Sequence, residues 1–118
     1  MGVGSLATIA VQRPPNLAIV VQDNEHYGET GMQETHTGHG TDLVAIARGA
    51  GFEHALRITA PGEMAALVSA ARSGPGPFFG LAKVAADPLP LVLPPREGAH
   101  LQARLREAIL GPGAYHQL

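Results

Sequence analysis

Apolar residues fall along this chain in short runs separated by polar, glycine- and proline-rich turns, and the runs alternate between two periods. Ser5 to Gln12 carries Leu6, Ile9 and Ala10 at helical spacing, and Pro14-Pro15 stops it. Leu17 to Gln22 comes next, too short for a typical helix and rich in β-branched residues, so it reads as a strand buried on both faces. Thr41 or Asp42 can cap a helix running to Ala50, with Leu43, Ile46, Ala47 and Ala50 on one side and Gly51 as its stop. His54 to Thr59 reads as a second strand. Pro61 then suits the first turn of a helix lined by Met64, Leu67, Val68 and Ala71 and ended by Gly74. Phe78 to Val84 is a third strand candidate, with Lys83 a solvent-side or strand-end charge. Strand-helix alternation of this kind predicts an α/β fold, three layers deep, around a mainly parallel sheet.

The remainder is less regular. Pro88, Pro90, Pro94 and Pro95 bracket the apolar Leu91 to Leu93, and each proline lacks a ladder donor, so this stretch can be extended but cannot be a central strand along its full length; a subunit contact is a use for it. Arg96 to Leu110 reads as a closing helix with Leu101, Leu105, Ala108 and Ile109 on one face, ended by Gly111-Pro112-Gly113. No repeat or long linker interrupts the chain, and 1–118 reads as a single small domain.

The most informative boundary is the end of the first strand, where the apolar run stops at Asp23-Asn24 and a polar loop begins. In open α/β sheets ligands bind outside the carboxyl ends of strands. A carboxylate, a side-chain amide and loop carbonyls are hard oxygen ligands that suit magnesium held with a phosphate. Equally, Asp23 or Asn24 can simply bond its own backbone in an Asx-turn. Both readings stand on the residues alone.

The stretches MGVGSLATIA and NLAIVVQDNEHYGETGMQETHTGHGTDLVAIARGAGF resemble the carboxyl-terminal, diphosphate-binding domain of thiamine diphosphate-dependent decarboxylases, nearest to the sulfopyruvate and phosphonopyruvate decarboxylase group. The resemblance is strong over the first half of the chain and continues only as a pattern beyond it. That family carries a Gly-Asp-Gly motif, a helix, a strand and a closing Asn-Asn or Asp-Asn. Here Asp23-Asn24 matches the close and GSLATIA the helix, whereas Gly-Asp-Gly occurs nowhere in the chain. By family spacing it falls before Met1, so the expectation is a partial, amino-terminally incomplete thiamine diphosphate-binding fold.

The resemblance implies that Asn24 ligates magnesium through its side-chain oxygen and His26 through its backbone carbonyl. It implies that Glu25, Tyr27, Gly28, Glu29 and Thr30 form the loop wall beside thiamine diphosphate. The family's activating glutamate lies on a separate pyrimidine-binding domain, so catalysis calls for a pyrimidine-domain (alpha) subunit or self-association. The implied function is a thiamine diphosphate-binding part of a 2-oxo acid decarboxylase, a carbon-carbon lyase. The alternative is a non-catalytic remnant or subunit that folds and associates without cofactor. No residue is assigned a catalytic role.

Composition narrows the field further. At 118 residues and 45% hydrophobic content the chain can bury one core. A net charge of −2 and eight scattered Lys and Arg give no basic footprint for nucleic acid. The absence of Cys removes disulfides, thiolate nucleophiles and Cys-based zinc sites. No charged n-region and no long apolar run is present, so the expected location is cytoplasmic, without a membrane span. His36 and His39 stand three apart, but their glycine-rich surroundings favour a loop over a zinc site. Four glycines, Gly28, Gly31, Gly38 and Gly40, lower the cost of rearranging that loop, and the resemblance gives such movement a use in closing over the cofactor. Imidazoles at His26, His36 or His39 could then handle a proton, while His36 and His39 read equally as plain exposed loop residues. Glu29 and Glu34 are an ordinary loop pair of carboxylates, and Arg48, Arg57 and Arg72 read as surface charges.

Overall fold

A computed structural model describes residues 2–87, 90, 92–112 and 114. The chain divides into two compact units, Met1–Pro88 and Leu89–Leu118. Within the first, helix α1 (Gly4–Gln12) leads into strand β1 (Ala18–Asp23). A short hairpin, β2 (His26–Tyr27) with β3 (Gln33–Glu34), comes after it, flanked by 3-10 turns at Gly28–Thr30 and His36–His39. Helix α2 (Leu43–Ala50), β4 (His54–Ile58), α3 (Met64–Ser73) and β5 (Phe78–Lys83) complete the unit.

The main sheet is wholly parallel in the order β1-β5-β4, with Ala18 opposite Phe78 and Asp23 opposite Lys83. Alternation along β5 splits the core in two. Phe79 and Leu81 pack with Leu6 and Ala10 of α1, Val44 and Ala47 of α2, and Phe52, the Phe52 and Phe79 rings meeting edge-on. Phe78 and Ala82 pack on the opposite face with Ile58 and Leu67 of α3. The result is the expected helix-sheet-helix layering around a parallel sheet.

Local chemistry explains the helix ends. Asp42, extended at the cap of α2, accepts a 2.9 Å bond from the Ala45 amide. Gly51 closes the same helix in a left-handed conformation that returns its N–H to the last carbonyls. Before α3 a 3-10 turn at Pro61–Glu63 intervenes, and Glu63 reaches back to the amides of Thr59 and Ala60 at 2.8 and 3.0 Å. The Glu63 carboxylate thus closes the turn that leads into α3.

Some expectations of burial need correction. The strand buried on both faces is β5, not the one at Leu17 to Gln22. β1 pairs only with β5 among the described residues, and Val20 is 47% exposed on the face that α3 covers only near Ala18. On α3, Leu67 turns inward with Ala70 and Ala71, whereas Val68, about 100° around the helix, and Met64, in its first position, are exposed.

In the second unit, α4 (Gly98–Leu110) forms where the closing helix was expected. Its Leu101, Leu105 and Ile109 are exposed instead of lining a core, and Arg106 donates a 2.8 Å bond to the Ala114 carbonyl. Residues 92–95 have no regular structure, and Val92 and Leu93 are exposed. Pro88 and Leu91 of the proline-bracketed stretch, and Gly113 of the closing turn, lie outside the described residues.

Candidate functional site

β1 ends at the carboxyl edge of the sheet, and the chain turns sharply there. Asp23 Oδ1 accepts the Glu25 amide at 3.0 Å and Asn24 Oδ1 accepts the His26 amide at 3.0 Å, two consecutive Asx-turns. Glu25 adopts φ +62°, in the left-handed region that non-glycine residues seldom occupy. The hairpin then fixes the residues beyond the turn. Thr35 donates to the Glu25 carbonyl at 2.8 Å, and His26 pairs with Glu34 in the β2–β3 register. Alternate residues of an antiparallel pair turn their backbone groups away from the partner strand. His26 is such a residue, so its carbonyl faces away from β3, as its amide does in reaching Asn24.

Asp23 is the one buried charged residue of the described core, at 7% exposure. Three groups hold it as a carboxylate. Thr37 donates to Oδ1 at 2.7 Å, the Glu25 amide meets the same oxygen, and the Lys83 ammonium lies 2.9 Å from the fully buried Oδ2. That last contact is an ion pair outside hydrogen-bond geometry. Burial by itself raises the Asp23 pKa, but the Lys83, Thr37 and Glu25 contacts outweigh it and leave the carboxyl below its ordinary value. Lys83 also pairs with Glu25, and chiefly for that reason its own pKa is raised. Thr35 and Thr37 hydroxyls bond each other at 2.7 Å, which extends the network into the loop.

A cleft of about 650 Å³ opens beside this turn. Ile19, Val21, Leu6, Leu43 and Phe79 give it an apolar floor, and Asp23, Asn24, His26, Tyr27, Thr37 and Thr41 contribute to its polar side. Asn24, His26 and Tyr27 therefore come together on one wall. Glu25 turns instead to Lys83, and Gly28, Glu29 and Thr30 form the 3-10 turn beyond the cleft without lining it. The His26 ring Nδ1 lies 2.9 Å from the Asn24 carbonyl. A carbonyl only accepts, so Nδ1 carries the proton and Nε2 of the neutral ring keeps its lone pair.

The other polar candidates scatter. His36 lines the cleft, but His39 pairs with Glu34 at 2.8 Å, both exposed. Among the described residues no three His, Asp or Glu gather to hold a metal. Arg48 donates to the Ala55 carbonyl, Arg57 pairs with Asp42 at 2.6 Å, and Arg72 stands in the last turn of α3, none of them on the cleft. What sequence reasoning missed is Lys83. Only the parallel register of β1 with β5, which sets Lys83 opposite Asp23, reveals its partners.

Chemically, the turn offers oxygen. Asn24 Oδ1 spends one lone pair on the His26 amide and retains another, and the His26 carbonyl is directed off the hairpin ladder. Both are neutral, hard donors of the kind magnesium takes.

Comparison with known proteins bears on the same region. A family model described as "Thiamine pyrophosphate enzyme, C-terminal TPP binding domain" matches residues 1–79. Sulfopyruvate decarboxylase subunit beta of Methanocaldococcus jannaschii is 49% identical over 53 residues, 45% of this chain and 28% of the relative. The subunits of the same name from Methanococcus maripaludis and Methanothermobacter thermautotrophicus are 42% and 46% identical over 53 and 52 residues. In each case the match spans 28% of the relative's length. No helix of the described residues is long and apolar enough to cross a membrane.

Proposed function

Because the chain belongs to the family of C-terminal TPP-binding domains of thiamine pyrophosphate enzymes, we propose that its first unit supplies the magnesium and diphosphate side of a thiamine diphosphate site. The enzyme would be a 2-oxo acid decarboxylase of the sulfopyruvate or phosphonopyruvate type, located in the cytoplasm. The observation that carries the reading is the turn Asn24-Glu25-His26, which offers a side-chain amide oxygen and a backbone carbonyl at the carboxyl end of a parallel strand, beside a cleft.

The residues fit the group. Asn24 would hold magnesium through Oδ1 and His26 through its carbonyl, and the adjacent buried carboxylate of Asp23 is already neutralised by Lys83. Tyr27 belongs to the wall beside the cofactor. Glu25 belongs to the fixed base of the loop beside it, and Gly28, Glu29 and Thr30 to the part that closes on it. The apolar floor of the cleft excludes water from that side. When bound, thiamine diphosphate supplies the carbanion stabilisation by which a 2-oxo acid loses carbon dioxide. The printed name of the relatives, subunit beta, supports a partner subunit carrying the pyrimidine-binding half.

Calorimetry of the purified chain with thiamine diphosphate and magnesium tests the reading. Binding is expected to be weak, to require the divalent cation, and to be abolished by Asn24→Ala with the fold intact. Undiminished binding by Asn24→Ala refutes the site. No binding even with a pyrimidine-domain subunit present favours a subunit that folds and associates without cofactor. Turnover of a 2-oxo acid is expected only with the partner, and turnover by the chain alone contradicts the divided site.

A further inference from the structure

We propose that Lys83, with Asp23 and Thr37, is a positioning clamp that sets the Asn24-Glu25-His26 turn before any cofactor arrives. The inference rests on the function proposed for that turn. Lys83 itself does not line the cleft, so it acts through its neighbours.

The geometry that points to this role begins with strain. Glu25 sits at φ +62° without being glycine, a conformation that persists only when its surroundings over-determine it. Three contacts do so. The Glu25 amide is held by Asp23 Oδ1, its carbonyl by the Thr35 amide, and its carboxylate by Lys83. Asp23 in turn is fixed by Thr37 and by Lys83.

Lys83 is therefore the common partner of the two acids on either side of Asn24, and it belongs to a different strand. Its position comes from the β1–β5 register, which places the last residues of the two strands side by side. A rigid central strand thus orients a turn that would otherwise be free to relax. Supporting groups of this kind orient metal ligands without touching the metal.

The test uses the full chain and two independent readouts. Hydrogen exchange in the absence of cofactor reports the turn directly, because the Glu25 and His26 amides both donate to the Asx-turns. In Lys83→Met their exchange is expected to quicken by about tenfold or more, while amides of the core strand at Phe79 and Leu81 stay protected. Calorimetry with magnesium and thiamine diphosphate is expected to show an affinity loss of about 10–100-fold in the same variant, with partial rescue by Lys83→Arg. Lys83→Met strands the buried Asp23 carboxylate and can fail to fold. Glu25→Gln keeps the Asp23 pair and gives a second variant, with the same two effects in weaker form.

Exchange that is unchanged at Glu25 and His26 overturns the clamp, whatever the calorimetry shows. Lost affinity with unchanged exchange would mean that Lys83 serves binding by a route other than the turn, and the clamp fails. A wild-type chain that binds no cofactor with or without a partner subunit overturns the proposed function, while the clamp is then decided by exchange alone.

Discussion

Asp42 shows how one carboxylate ties two elements together. Its side chain caps α2 at the Ala45 amide and also pairs with Arg57 of β4. The amide bond first, and Arg57 with it, hold its pKa below the ordinary 3.8. A folded value below the unfolded one means that the carboxylate contributes stability at all pH above the unfolded value. That contribution disappears as pH falls through the folded one. Asp42→Ala is expected to lower the thermal midpoint by a few degrees at neutral pH, and Asp42→Asn, which keeps a capping oxygen, by less. Unfolding followed from pH 7 downward checks the sign: the gap between wild type and Asp42→Ala should narrow below the carboxylate range to the share that a neutral capping oxygen keeps. A gap of undiminished size there would place the effect outside the charge.

At the scale of elements, α3 and β5 approach each other closely at Gly80. A Cβ added at Gly80 would come within 2.5 Å of Leu67 Cδ1 and 3.0 Å of the Phe78 ring, and both neighbours are buried. Neither can give way without disturbing the core cluster of Ile58, Leu67, Phe78 and Ala82. Gly80→Ala is therefore expected to destabilise by about 1–3 kcal/mol through overpacking, measured by urea unfolding of the two proteins. A neutral result would mean that α3 can slide on the sheet, and the α3 face of the core would then be loosely packed. The strand also shows why β5, rather than β1, lies at the centre. It accepts helices on both faces and strands on both edges, and its five consecutive buried residues result from that position.

For the molecule as a whole, the expectation is association. Among the described residues β1 pairs on one edge alone, and an unpaired parallel edge with an exposed Val20 is a template for another chain. The relatives are subunits by name. Sedimentation velocity of the purified chain, alone and with a pyrimidine-domain subunit, is expected to show a homo-oligomer or a hetero-oligomer. A single monomeric species at high concentration in both mixtures would contradict the proposed assembly.

Local pattern was enough to define most elements, because their signals are local. Leu43, Ile46, Ala47 and Ala50 at helical spacing between Asp42 and Gly51 specify α2, and the apolar runs ending in Asp23 and Lys83 specify two strands. The Asp23-Asn24 boundary likewise marked the turn that lies beside the cleft. Burial was not legible in the same way: Leu17 to Gln22 and Phe78 to Val84 are both apolar runs, and only sheet order decides which is central. Nor was Lys83, since 60 positions separate it from Asp23 and the contact exists only through the β1–β5 register. A run of residues encodes its own periodicity. Which charges meet across strands depends on pairings that no short window contains, and here those pairings set the geometry of the turn.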